Sequence, residues 1–270
     1  MKQKCFNLLC YSIFWVLTAL LSAEAYAMCG EKLEKNSEFL AMIPRLDPTS
    51  IFVALKKGEL ELAVSKIKGI LEKILGSSFP LPKIQSVNTL QSNPALFDKK
   101  TWTIFYFPKA LKQAIDEGLI SYEEWPAAAT IIIAHELVHA WQAYKTNLLK
   151  TAHEKSREAI FEGHATFVQS ILARMFGISD ISDKGIRALT NKLNYINIGY
   201  NTMKAEQVAE GNALTRVYGC KLFLNTVLNK ESKFTVDDLI NKMPATGLPE
   251  QYVKNPQKYE NEIKLLLNEH

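Results

Sequence analysis

The residues with the clearest chemical potential are two histidines and a glutamate in the run His135-Glu136-Leu137-Val138-His139. On a helix, residues four apart lie about 40° from one another and one turn apart, so both imidazoles reach a single metal ion. Zinc takes neutral imidazole nitrogen at about 2.0–2.1 Å in a tetrahedral shell. Glu136 falls about 60° to the side of His139. It flanks such a metal without ligating it, positioned to draw a proton from a water that zinc acidifies to a pKa of about 7. These are the parts that water needs to attack a peptide carbonyl. The competing reading is an amphipathic helix with a polar His/Glu edge. Ala127 to Ala134, which leads into the run, is an apolar sequence fit for a buried helix. Two histidines and a glutamate in such a helix are costly unless paired or bound to a metal.

Catalytic zinc takes a third protein ligand and keeps one position open. Glu158 and Glu162 lie on one face of the following helical stretch, and either can supply it. For Glu162, the small residues Ala159, Gly163, Ala165 and Thr166 around it let two helix backbones approach closely enough to share an ion. Glu162 is therefore favoured, and Glu158 is left to orient a ligand histidine, bind Arg157 or face solvent. His164 is a weaker rival, because it lies about 200° round the helix from Glu162. His153 suits a helix start at the surface, and His270 a frayed terminus.

The surrounding pattern is that of a helix-rich α+β protein with a small sheet. Residues 31–75 read as helical with breaks near Pro44 and Pro48. The clearest stripe there runs over 59–75 and is stopped by Gly76. The Ser-, Asn- and Pro-rich stretch 77–100 reads as loops around a short strand at Lys83–Val87. Thr101 to Phe107 is rich in β-branched and aromatic residues and reads as the main strand, ended by Pro108. Helices are expected at 109–117, at 127–144 behind a Ser121/Glu124 capping box, and at 154–176. The remainder is mainly helical. The expected organisation is one domain over 28–270: a helical and loop part at 28–100, a metal-site core at 101–176 and a helical part at 177–270.

Residues 1–27 have a different character. Lys2 and Lys4 precede an apolar run from Leu8 to Leu21, and Ala25-Tyr26-Ala27 follows as a small-x-small sequence. This fits a signal peptide cut after Ala27, with the chain then secreted or periplasmic. An uncleaved run would instead tether it to a membrane, the only membrane association expected. Cleavage leaves Cys29 and Cys220, which either form one disulfide or leave Cys220 as a buried thiol. Basic and acidic residues are interspersed and the net charge is only +4, so nucleic acid is not an expected partner.

Taken together, His135 to Gln142 and Glu162 to Thr166 resemble the gluzincin zinc peptidases, in which an HExxH helix is followed by a helix donating a glutamate. They look closest to bacterial exported proteins of unassigned substrate that pair HELxHAxQ with EGxAT. The resemblance spans about 101–176, and more weakly Tyr218 to Phe223 and Pro244 to Tyr259. It implies a zincin-like fold, one zinc per chain and a peptide or protein substrate. It also implies a cleft bordered by the Thr101–Phe107 strand, and Tyr218 or Tyr200 as oxyanion donor. Eighteen residues stand between His139 and Glu158, a gluzincin spacing that speaks for Glu158. The longer spacing to Glu162 departs from the aminopeptidase-N-like members. No Gly-x-Met-Glu-Asn-type motif precedes the metal helix, so an endopeptidase is the better expectation. The alternative is a non-catalytic, metal-stabilised binding or assembly module of the same fold.

Overall fold

The computed structural model describes residue 41 and residues 43–91, 94–118, 120–145 and 155–178, together with Cys220 and Phe223; residues 155–160 are described by backbone alone. The expected signal segment therefore lies outside the described residues, as does nearly all of 179–270. No described helix is long and apolar enough to cross a membrane.

Helix α1 (Thr49–Lys56) starts directly after Pro48, where Asp47 accepts hydrogen bonds from the backbone N–H and hydroxyl of Thr49. Helix α2 (Leu60–Leu75) buries Ala63, Val64, Ile67 and Leu71, one stripe at helical spacing. It ends at Gly76, whose φ of 67° is the left-handed conformation that glycine adopts without strain.

Three short strands follow: β1 (Lys83–Ser86), β2 (Ala95–Asp98) and β3 (Thr103–Tyr106). Their order in the sheet is β1-β3-β2, with β1 parallel and β2 antiparallel to β3. Two expectations need correction. Strand β2 falls inside the stretch read as loop, because four residues behind Pro94 are too few to display an alternating pattern. The main strand also begins later than Thr101. Asp98 accepts hydrogen bonds from Lys100 N at 2.9 Å and Thr101 Oγ1 at 2.7 Å, folding 98–102 into a hairpin turn. Trp102 closes that turn at φ 53°, a conformation that costs a residue with a Cβ roughly 1–2 kcal/mol. Edge-to-face contact with Phe97, with ring centroids 5.3 Å apart, helps hold it there.

Helix α3 (Pro108–Asp116) begins with its proline at the first turn. Helix α4 (Trp125–Lys145) is introduced by a reciprocal capping box: Ser121 N donates to Glu124 Oε2 at 2.7 Å, and Glu124 N donates to Ser121 Oγ at 3.3 Å. Helix α5 is Lys155–Met175. Its C-terminal end is covered by the segment before α1, where Leu46 N donates to Met175 O at 2.8 Å and Arg45 Nη1 to Arg174 O at 2.7 Å. These contacts satisfy carbonyls that the helix end leaves without intrahelical partners.

Helix α4 is the centre of the packing. It touches α1, α2, α3, β2, β3 and α5. This is why Ala127, Ala129, Ile131, Ile133, Ala134, Leu137, Val138 and Ala140 are buried on several of its faces. One face of the sheet, with Ala95, Phe97, Ile104 and Tyr106, packs into the same core. Burial pushes the Tyr106 hydroxyl up to about 12. Ile67 of α2 is fully buried in this cluster. The substitution Ile67→Ala is expected to lower unfolding stability by about 2–5 kcal/mol in denaturant titration. Val53→Ala, at a 43% exposed position of α1, should change it by under about 0.5 kcal/mol.

Candidate metal centre

Helices α4 and α5 pack against each other and bring three side chains to one point. His135 Nε2 and His139 Nε2 are 3.1 Å apart. Glu162 Oε2 is 3.2 Å from His135 Nε2, and Glu162 Oε1 is 3.5 Å from His139 Nε2. The residues beside Glu162 on α5, Gly163 and Ala165, are small and buried, which suits a close approach of the two helices. Glu162 is thus the carboxylate brought to the histidines. Glu158 lies one turn earlier on α5, outside the residues whose side chains are described. Tyr200, Tyr218, His153 and Cys29 also lie outside the described residues.

The atoms behind each imidazole determine which ring nitrogens carry protons. His139 Nδ1 is 2.9 Å from Gln142 Oε1, and His135 Nδ1 is 3.0 Å from Gln169 Oε1. An amide oxygen only accepts, so each Nδ1 donates, and in the neutral ring each Nε2 is left with a bare lone pair. Two such lone pairs and a carboxylate then face one another with their ligand atoms all within 4.8 Å. Acceptors crowded in this way repel unless a cation or a proton sits among them. Tetrahedral ligands at zinc distances stand about 3.3 Å apart, close to the separations found here. The donor set, two imidazoles and one carboxylate, also suits other transition metals.

Little solvent reaches this cluster. The side chains of His135, His139 and Glu162 are 12%, 7% and 14% exposed, so charge interactions among them are strong. Burial alone would lower the pKa of His139, but the Glu162 carboxylate, with help from Glu136 and Gln142, holds it above its ordinary value. Phe161 stacks almost parallel on the His139 ring, with centroids 4.1 Å apart.

Glu136 does not join the three-residue cluster, as its helical offset implies. Its Oε2 accepts a hydrogen bond from the Phe97 backbone N–H at 2.8 Å. The geometry of β2 explains that contact. Phe107 N donates to Pro94 O, so in the antiparallel ladder Ala95 and Phe97 turn their backbone groups away from β3. Among the described residues, strand β2 is therefore the sheet edge at Glu136. The Thr101–Phe107 strand expected to border the cleft is instead the central strand, paired on both sides, and its edges are not available to a peptide.

His164 does not join the cluster. It is 1% exposed, Gln142 Nε2 contacts its Nδ1 at 3.1 Å, and its ring packs against Trp141 and Phe223. Burial, and secondarily the charge on His139, push its pKa down to about 3. Cys220 is disulfide-bonded and fully buried, which excludes the free-thiol alternative. Sequence reasoning missed Phe97 and Gln169 and gave Gln142 no role. Gln142 had a signal, at three residues beyond His139, whereas Gln169 and a backbone N–H had none.

No family model matches the chain, and no curated protein or solved structure matches it.

The neutral burial of His164 has a measurable consequence. The unfolded chain protonates this residue near pH 6.5, and the folded chain only near 3. Stability present above pH 6.5 is therefore lost as pH falls toward 3, at up to about 1.4 kcal/mol per pH unit from this residue. His139, with its raised value, acts in the opposite sense. Urea titration of metal-free wild type and His164→Gln between pH 7 and 4 separates the two, with the shallower fall expected in the variant.

Proposed function

We propose that the chain is an exported, zinc-dependent endopeptidase of gluzincin type, with a zincin-like fold. The observation that carries this reading is the convergence of His135 Nε2, His139 Nε2 and a Glu162 carboxylate oxygen within 4.8 Å, with Glu136 beside them. The three ligands found among the described residues would leave one position of a tetrahedral shell for water or substrate, the arrangement of catalytic zinc. Bound zinc would supply a Lewis acid that polarises the scissile carbonyl and acidifies water.

The chain's own residues supply the rest. Glu136 is anchored through Oε2 by the Phe97 N–H, leaving Oε1 to take the proton of the attacking water. The same carboxyl then returns that proton to the leaving amine. The Phe97 N–H is taken by Glu136, so an extended peptide laid along β2 would use the outward-facing Phe97 carbonyl and the backbone groups of Ala95. Such a peptide lies next to Glu136, which favours a polypeptide substrate over a small molecule. The disulfide at Cys220 supports an oxidising compartment, in keeping with export through residues 1–27.

Metal analysis and peptide hydrolysis on the purified chain test the reading. Wild type should carry about one zinc per chain, and Glu162→Ala should lose most of it. Glu136→Gln should keep the metal and lose hydrolysis by at least about 100-fold. A wild-type chain that takes up no zinc would sink the proposal. A chain that binds zinc and cleaves no peptide in a broad library would be a metal-stabilised binding module instead.

A further inference from the structure

Behind the cluster stand two buried amides that the proposed reaction does not itself use. Gln142 is fully buried and Gln169 is 8% exposed. Burying an amide is unfavourable unless its hydrogen bonds are made, and an apolar side chain would fill either position more cheaply. What they do is therefore to be sought in where their polar atoms point.

Each amide oxygen faces the Nδ1 of one histidine, Gln142 that of His139 and Gln169 that of His135. The orientation of Gln142 is locked from behind. Its Nε2 donates to the Phe161 carbonyl at 2.9 Å and to His164 Nδ1 at 3.1 Å. Flipping the amide would set its oxygen against that carbonyl, losing the one bond of the three that no change of histidine tautomer can restore. His164 accepts at Nδ1, so in the neutral ring its proton is on Nε2. Phe161 contributes twice, through its carbonyl to Gln142 and through its ring stacked on His139.

We propose that Gln142 and Gln169 are positioning residues that lock His139 and His135 in the Nδ1-protonated tautomer, aiming both Nε2 atoms at one cation, with His164 and the Phe161 carbonyl fixing Gln142. This rests on the metal reading above. Metal-bound histidines are commonly oriented by carboxylates, which add negative charge and raise ligand basicity. Here neutral amides give the orientation without that charge. Glu162 is then the sole anionic ligand among the described residues, and the imidazoles stay ordinary neutral donors.

The first test needs no substitution. Ring ¹⁵N chemical shifts of the metal-free full-length wild type, taken at a pH high enough that both rings are neutral, distinguish the two neutral tautomers. His135 and His139 should both carry the proton on Nδ1. Either one protonated on Nε2 overturns the proposal, whether or not the chain binds zinc. The second test is zinc affinity by chelator competition. Gln169→Leu and Gln142→Leu should each weaken binding about 10–100-fold. Gln169→Glu, which keeps an acceptor at the same place, should restore binding to within a few-fold of wild type. If Gln169→Leu binds zinc as wild type does, or Gln169→Glu is as weak as the leucine variant, the amide does not act through His135. A wild-type chain that binds no zinc would remove the metal reading and leave the tautomer measurement to stand alone.

Discussion

The repulsion among three electron-rich atoms is the constraint on which the rest of this structure depends. The Nε2 atoms of His135 and His139 and the Glu162 carboxylate face one another across 3.1–3.5 Å, in surroundings that water scarcely enters. Left uncompensated, that arrangement is unfavourable, and it persists only if the scaffold holds all three from behind. The burial of α4 provides the hold. Helices and strands pack around it, so neither histidine can swing away without opening the core.

Function-bearing groups enter this scaffold from three directions. Helix α4 carries the histidines and Glu136, α5 brings Glu162 and Gln169, and β2 contributes a backbone N–H. Only α4 has its contribution written in a short run of sequence. The hydrogen bond from Phe97 N to Glu136 ties the sheet edge to the proposed proton carrier. That edge is held in turn by the strained turn at Trp102. Backbone strain next to a reacting group is a recurrent feature of functional sites, and here it has an identifiable structural effect. The Trp102 ring sits against Phe97, whose N–H orients the carboxylate.

How far the site was legible in the sequence differs from residue to residue. The pairing of His135 with His139 and the sideways offset of Glu136 follow from helical periodicity, a local property that any sufficiently buried helix preserves. Glu162 was legible only in part. Spacing put it on the same face as Glu158, but spacing within a helix says nothing about which turn meets another helix. The small residues Gly163 and Ala165 carried the better clue, because they mark where backbones can approach. Gln169 and Phe97 were not legible at all. Their partners are 34 and 39 residues away, and a glutamine or a main-chain amide looks the same in sequence wherever it lies.

What the sequence by itself determined is local: the helix limits, punctuated by Pro48, Gly76, Pro108, Gly118 and the Ser121/Glu124 box, and the i, i+4 spacing of the two histidines on α4. These depend on backbone preferences and on contacts within a few residues. The tertiary structure alone decided the sheet order, in which Thr103–Tyr106 is the centre and Ala95–Asp98 the edge beside Glu136. It also decided that the Glu162 carboxylate meets the histidines, and that His164 faces Gln142 and not that cluster. The physical reason is the same in each case. Strand order, interhelical contact and the direction of a buried polar atom are settled by which distant surfaces exclude water together, and no local periodicity encodes that choice.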